Sequence, residues 1–164
     1  MTDQKSDNSN SKAVDPIQDF HRGVSASMHN KAMDILFEDA PTGDEIESLI
    51  ELAHVAHWHW VRREDKKPQN ISVALWLLSR AYAANGFGER ALGYARQSLE
   101  TIEHENLLPS FYGYCNEAFA RAYLLLGEKE KAAVSYATAL EISETVPNPQ
   151  AKEYLLDQIN RIEM

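Results

Sequence analysis

Apolar residues recur every three or four positions along most of this chain, rather than every second one. Ile17, Phe20, Val24, Met28 and Ile35 form one stripe, with Ala32 beside it. That spacing puts side chains on one face of an α-helix. The next segment repeats the pattern with Ile46, Leu49, Ile50, Ala53, Ala56 and Trp60 on one side. Leu75, Leu78 and Tyr82 mark a third segment, and Tyr154, Leu155, Ile159 and Ile162 mark the last. No stretch keeps a strand-like alternation for a useful length.

Local signals set the boundaries. Asp15 suits a helix N-cap before Pro16, with Gln18 at the capping-box position. Pro41, Thr42 and Gly43 break the chain, and Thr42 with Glu45 forms a second capping-box signal. Asp44, Glu45 and Glu47 suit the positive end of that helix, and Arg62, Arg63, Lys66 and Lys67 suit its C-terminus and the linker that Pro68 closes. A third helix is expected from near Asn70 to Gly86, a fourth from Gly88 to about Glu103, and a fifth from Pro109 to Leu126. A sixth covers Lys129 to Ser143, and Asn148 with Pro149 starts a seventh. Gly86 and Gly127 suit helix ends. The pattern predicts an all-α protein of about seven helices packed as antiparallel hairpins.

Residues 1–14 are rich in Ser, Asn, Asp and Lys, and bury too little apolar surface to offset the entropy of ordering. They are expected to form a flexible tail. Residues 15–164 are expected to be one helical-repeat domain. Its parts are a divergent hairpin at 15–65, repeats at 70–104 and 110–144, and a capping helix at 148–162.

The strongest signal is internal. Leu78, Ser79, Tyr82, Gly86, Ala91, Ala95 and Ser98 match Phe119, Ala120, Tyr123, Gly127, Ala132, Tyr136 and Ala139, each pair offset by 41 residues. The match fades toward the N-terminal side, where Leu75 pairs with polar Asn116. The small residues let paired helices approach closely, and the tyrosines fill the space beside them.

The pattern resembles the tetratricopeptide repeat, a helix-turn-helix unit of about 34 residues with small residues, Tyr and Ala at fixed places. The second copy carries Ala120, Tyr123, Ala132, Tyr136 and Ala139 there; the first has Ser79, Ala95 and Ser98 at three of those places. The chain is also similar to small bacterial proteins of this helical type. Its period is longer than the family's, and the extra length fits a longer fourth helix and the His104–Ser110 connection.

The resemblance implies a concave wall made by the first helix of each pair. Val73, Trp76, Arg80 and Ala84 would line it from one repeat, and Tyr114, Glu117, Arg121 and Leu125 from the next. Arg80 and Arg121 hold the same repeat position. Two guanidinium forks beside Trp76 and Tyr114 suit a protein or peptide segment carrying a carboxylate. The competing reading leaves both arginines solvated or paired with Glu117. Some family members clamp a peptide C-terminus with Lys, Asn and Arg; here Trp76 and Glu117 stand where such a clamp wants polar or basic groups.

Histidines offer a second chemistry. His54, His57 and His59 crowd one helix, and His57 falls inside its apolar stripe. His21 lies in the stripe of the first helix, so His21 and His57 are expected at the seam of the first hairpin. A helical metal-binding enzyme or small-ligand sensor built on His21, His54, His57 and His59 is the alternative function. Metal sites in helical bundles draw three or more ligands from different helices. The Glu51–His54 pair has a ligand-like spacing but no repeat on a second helix, so no metal or cofactor is expected. A third reading is a structural homo-oligomer joined through Trp58 or the terminal helix. Trp58 falls among Glu47 and Glu51, and coverage by another helix is its commoner fate in a stack.

Composition adds exclusions. The net charge is −9 and the pI about 5.1, which gives no electrostatic footprint for nucleic acid or an anionic membrane. One cysteine, Cys115, allows no internal disulfide. No apolar leader or membrane span is visible in the sequence, which points to the cytoplasm. Glycine-rich phosphate loops and nucleophile elbows are missing from the sequence.

Overall fold

The computed structural model describes residues 15–38 and 40–164. The expected tail at 1–14 lies outside them. Among the described residues the chain forms seven helices and no strand: α1 (Pro16–Phe37), α2 (Gly43–Arg62), α3 (Pro68–Ala84), α4 (Gly88–Glu105), α5 (Pro109–Leu125), α6 (Lys129–Thr145) and α7 (Pro149–Asn160). Each helix packs against the next. The hairpins α1/α2, α3/α4 and α5/α6 stack in chain order, and α7 lies on α5 and α6. None of these helices is long and apolar enough to cross a membrane.

The caps explain where the helices begin. Thr42 Oγ1 accepts from the Glu45 N–H at 3.3 Å, and Glu45 Oε2 accepts from the Thr42 N–H at 2.7 Å, closing a full capping box. Asp15 caps α1 through the Ile17 N–H at 2.9 Å. Gln18 does not complete the box expected there. Its amide instead reaches the end of α2, where Oε1 accepts from the Glu64 N–H at 2.9 Å. This bond pins the open ends of the first hairpin together. Pro68 is the first residue of α3 rather than part of the linker, because Asn70 Oδ1 accepts from the Lys67 N–H at 3.0 Å and turns the chain early.

The two repeat turns are alike. Gly86 and Gly127 take left-handed φ values of 78° and 73° after α3 and α5. The N–H of Phe87 then bonds the carbonyl of Tyr82 at 2.9 Å, and that of Glu128 bonds Tyr123, also at 2.9 Å. Both helices therefore end in the same wrapped-back motif, in which glycine avoids the Cβ penalty of that conformation.

Small residues let the helices close up. Ala81, Ala91, Ala95, Ala118, Ala120, Ala122, Ala132 and Ala139 are buried. Where the first repeat carries serine, the hydroxyl finds a neighbouring backbone. Ser79 Oγ donates to Ala91 O at 2.8 Å, and Ser98 Oγ donates to Ser72 O at 3.0 Å. Cys115 Sγ likewise donates to Ala95 O at 3.2 Å. Leu49, Leu77, Leu78 and Ile102 fill the main core, and Leu155 and Ile159 of α7 build a smaller one against Ala139 and Val146. Each fully buried Leu or Ile contributes roughly 1.5–3 kcal/mol.

The outer face of the first hairpin departs from expectation. Ile17 is 66% exposed and Phe20 62% exposed, although both belong to the apolar stripe of α1. Trp58 is 48% exposed, where coverage by a helix was expected. Its ring instead carries the Arg62 guanidinium, 3.5 Å from its centroid. Among the described residues no helix covers this face of α1, and these apolar side chains lie at the surface.

Candidate functional site

The inner faces of α3 and α5 form one wall, and the repeat offset sets which residues meet on it. Trp76 Nε1 donates to Glu117 Oε2 at 3.0 Å. Arg80 Nη1 lies 2.9 Å from Glu117 Oε1, and Arg121 Nε bonds the same oxygen. One carboxylate is thus held by two guanidiniums and an indole N–H. Glu117 is fully buried and Arg80 is 5% exposed. Burial pulls the Arg80 guanidinium down to about 10, against the opposing pull of Glu117, so it stays charged at neutral pH.

α7 completes this network. Gln158 Oε1 accepts from Arg80 Nη1 at 2.8 Å, and the Gln158 carbonyl accepts from Arg121 Nη2 at 2.8 Å. Tyr154 meets Tyr114 at 5.7 Å between ring centroids and Phe37 of α1 at 5.4 Å. The last helix therefore reaches onto the α3/α5 wall itself. Val73, Trp76 and Tyr114 line one cavity of this wall, and Arg80 and Arg121 line a cleft. Arg80 and Arg121, however, are engaged by Glu117 and Gln158 rather than displayed for a ligand carboxylate.

The wall stays accessible at two places. At one end a cleft of about 210 Å³ is lined by Leu36, Arg80, Arg121, Leu125, Ile162 and Glu163, among others. Glu163 places a negative charge beside the two arginines there. At the other end lies a cavity of about 190 Å³, walled by Met33, Val73, Trp76, Phe111, Tyr114 and Tyr154, with His29, Ser72 and Ser98. Ser72 and Ser98 satisfy each other at 3.1 Å between hydroxyl oxygens. His29 Nδ1 and Tyr154 Oη are buried with no hydrogen-bond partner. Buried polar atoms are nearly always paired, so two orphans in one cavity wall distinguish this place. Burial lowers the His29 imidazole below its ordinary value, keeping it neutral. It also raises the Tyr154 phenol, which remains a donor.

His29, Phe111 and Tyr154 were not among the expected site residues. His29 lies one helical turn from Met33 and next to Met28 in the α1 stripe, which marks its face. Tyr154 was visible only as part of an apolar side without a destination.

The histidine group is arranged differently from expectation. His59, not His57, meets His21 in the first seam. Their Nδ1 atoms stand 3.0 Å apart, one donating and the other accepting. His59 is buried, whereas His57 is only half-buried. His54 Nε2 pairs with Tyr82 Oη at 2.9 Å. Among the described residues no group of three or more His, Cys, Asp or Glu side chains could hold a metal ion. Burial pushes the Cys115 thiol up to about 12, far from a reactive thiolate.

Compared with known proteins, the chain matches no family model, no curated protein and no solved structure.

Proposed function

We propose that this chain is a non-catalytic recognition module that seats a protein or peptide segment on the α3/α5 wall beside α7. The carrying observation is the cavity on that wall, lined by Trp76, Phe111, Tyr114 and Tyr154 among others. Pockets that bind are mostly apolar and hold a few directed polar groups. The tetratricopeptide-like repeat supports the same reading, since such stacks present their first helices to partners. His21, His54 and His59 support it by being engaged with one another or with Tyr82, and Cys115 by its buried thiol. A cytoplasmic setting belongs to this proposal.

The test is a peptide-display selection against the full chain, with binding of selected peptides measured by calorimetry. Val73→Phe would fill the cavity from α3, and circular dichroism would confirm that it is folded. Peptides that bind the wild type and lose at least about tenfold, or 1.4 kcal/mol, with Val73→Phe support the reading. Failure to select any peptide, or equal binding by both proteins, would sink it.

A second reading, self-association, is favoured by the exposed Ile17, Phe20 and Trp58 at the end of the stack. Apolar side chains grouped this way mark interaction surfaces.

A further inference from the structure

With the α3/α5 wall taken as the recognition surface proposed above, the lining of its cavity sets what that wall accepts. We infer that the cavity walled by Met33, Trp76, Phe111 and Tyr114 binds a single uncharged aromatic ring without a polar substituent, the chemistry of a phenylalanine side chain.

Size comes first. An apolar cavity of roughly 150 Å³ accepts benzene. This one measures about 190 Å³, room for one ring and the carbon that carries it. Met33, Val73, Phe111 and Tyr114 around it are half-buried rather than sealed, so a guest has a way in. An aliphatic side chain as small as that of leucine would leave part of the space empty, and unfilled space forfeits contacts.

The walls come next. Trp76, Phe111, Tyr114 and Tyr154 supply four rings. Trp76 and Tyr114 stand 5.6 Å apart at 57°, and Tyr114 and Tyr154 stand 5.7 Å apart at 68°. Tilted rings at this spacing offer faces and edges to a further ring, the arrangement aromatic groups prefer. Met33 adds a thioether, which packs well against an aromatic guest.

Charge narrows the class. The lining contains no Asp, Glu, Lys or Arg. Burial holds the His29 imidazole neutral. A charged guest would leave water without meeting an opposite charge.

Most polar groups of the lining are already committed within the protein. Trp76 gives its N–H to Glu117, and Tyr114 directs its hydroxyl to the Ala151 carbonyl at 3.5 Å. Ser98 Oγ donates to Ser72 O, and the two serine hydroxyls meet at 3.1 Å. His29 Nδ1 and Tyr154 Oη are shut inside the packing and offer a guest no surface. A hydroxyl or amide pushed among these groups would exchange its water for few partners. A hydrocarbon ring has no such bonds to lose.

Such a ring has two sources: a free small molecule, or a phenylalanine side chain of a partner. Both share the chemistry of toluene. The experiment titrates toluene, hydroquinone and tetramethylammonium separately into the isotopically labelled full chain and follows backbone amide resonances. Hydroquinone is polar at both ends, so either orientation buries a hydroxyl. The expected result is saturable shifts by toluene around Met33, Val73, Phe111 and Tyr114, with nuclear Overhauser contacts from the toluene methyl group to the same side chains. Toluene is expected to bind at least about tenfold tighter than hydroquinone, the scale of burying a hydroxyl without a partner. Tetramethylammonium is expected to leave these resonances in place. Val73→Phe, folded by circular dichroism, is expected to abolish toluene binding.

No saturation by toluene at millimolar concentration, contacts elsewhere on the stack, or binding of hydroquinone or tetramethylammonium as tight as that of toluene would each overturn the inference. A second arm adds peptides that differ only in carrying phenylalanine, tyrosine or leucine at one position. Phenylalanine-selective binding that toluene displaces supports both the ring chemistry and a protein partner. A preference for tyrosine or leucine overturns the ring chemistry. Toluene binding without any peptide binding upholds the ring chemistry and removes the protein partner, so the two claims fail separately.

Discussion

Trp76 and Glu117 occupy the same position in successive repeats, 41 residues apart, and touch: the indole N–H donates to the carboxylate at 3.0 Å. Arg80 and Arg121 are likewise equivalent and both bind Glu117. Stacking one repeat on the next thus brings equivalent positions together. Trp76 and Glu117 differ at their shared position, so the acceptor from one repeat meets a donor from the other, and both arginines close on it.

Removing the carboxylate tests this network. Glu117→Ala strands two guanidiniums at a buried site, and breaking a buried pair in this way costs about 3–5 kcal/mol. Chemical denaturation is expected to show that loss. Trp76→Phe removes a single donor to a charged acceptor and is expected to cost about 1.5–3 kcal/mol. A loss below 1 kcal/mol for Glu117→Ala would mean that the network is dispensable.

Gly113 marks the docking of α7. A Cβ there would lie 2.4 Å from Leu155 Cδ2, and Leu155 is fully buried. Gly113→Ala gains about 1 kcal/mol of helix propensity, which offsets part of the clash. Gly113→Val adds two methyl groups and is expected to cost about 1–3 kcal/mol by overpacking. Hydrogen exchange should then quicken first in α7. Unchanged protection of α7 would contradict this packing.

Acid should destabilise the fold. Burial holds His29, His54, His57 and His59 below the ordinary imidazole value, with Arg90 adding to the effect at His54, His54 at His57, and His21 and Arg62 at His59. The unfolded chain therefore binds more protons than the folded one below about pH 6.5. The stability held by these neutral imidazoles is intact above that pH. It is lost as pH falls through their lowered folded values. Thermal melts from pH 7.5 to 5 should show a falling Tm, with a smaller fall for His59→Asn. A flat Tm would remove the histidines from the pH response.

The exposed end of the stack should be thermodynamically quiet in the single chain. Phe20→Ser and Trp58→Gln are expected to change its stability by less than about 0.5–1 kcal/mol. If this face joins two copies, sedimentation velocity on the wild type would show a dimer that the double variant loses. A concentration-independent monomer for both proteins would remove the self-association reading.

Much of this was legible locally. The Thr42–Glu45 capping box, the Asp15 and Asn148 caps and the two glycine turns involve residues within a few positions of one another, so sequence spacing sufficed. The repeat offset also placed Val73, Trp76 and Tyr114 on the wall that the cavity opens from. Gln18 was misread for an equally physical reason. Its amide had a local partner in prospect, but it pairs instead with the Glu64 N–H in the turn after α2, which has no partner within the helix. His57 lies inside the apolar stripe and His59 near one edge, and only the crossing of α1 over α2 decided that His59 faces His21.

The sequence by itself determined that the chain is helical, where its helices begin and end, and which positions recur at the same place in successive repeats. Those properties follow from hydrogen bonding and side-chain periodicity within one or two turns. The tertiary structure decided what the wall faces. The stripe of Tyr154, Leu155, Ile159 and Ile162 required α7 to bury one side, but an apolar stripe is non-directional and names no partner. Docking on α5 and α6 put Gln158 onto Arg80 and Arg121 and left His29 and Tyr154 unpaired in one cavity. Residues far apart in the chain had to meet for both outcomes, and no local spacing encodes that meeting.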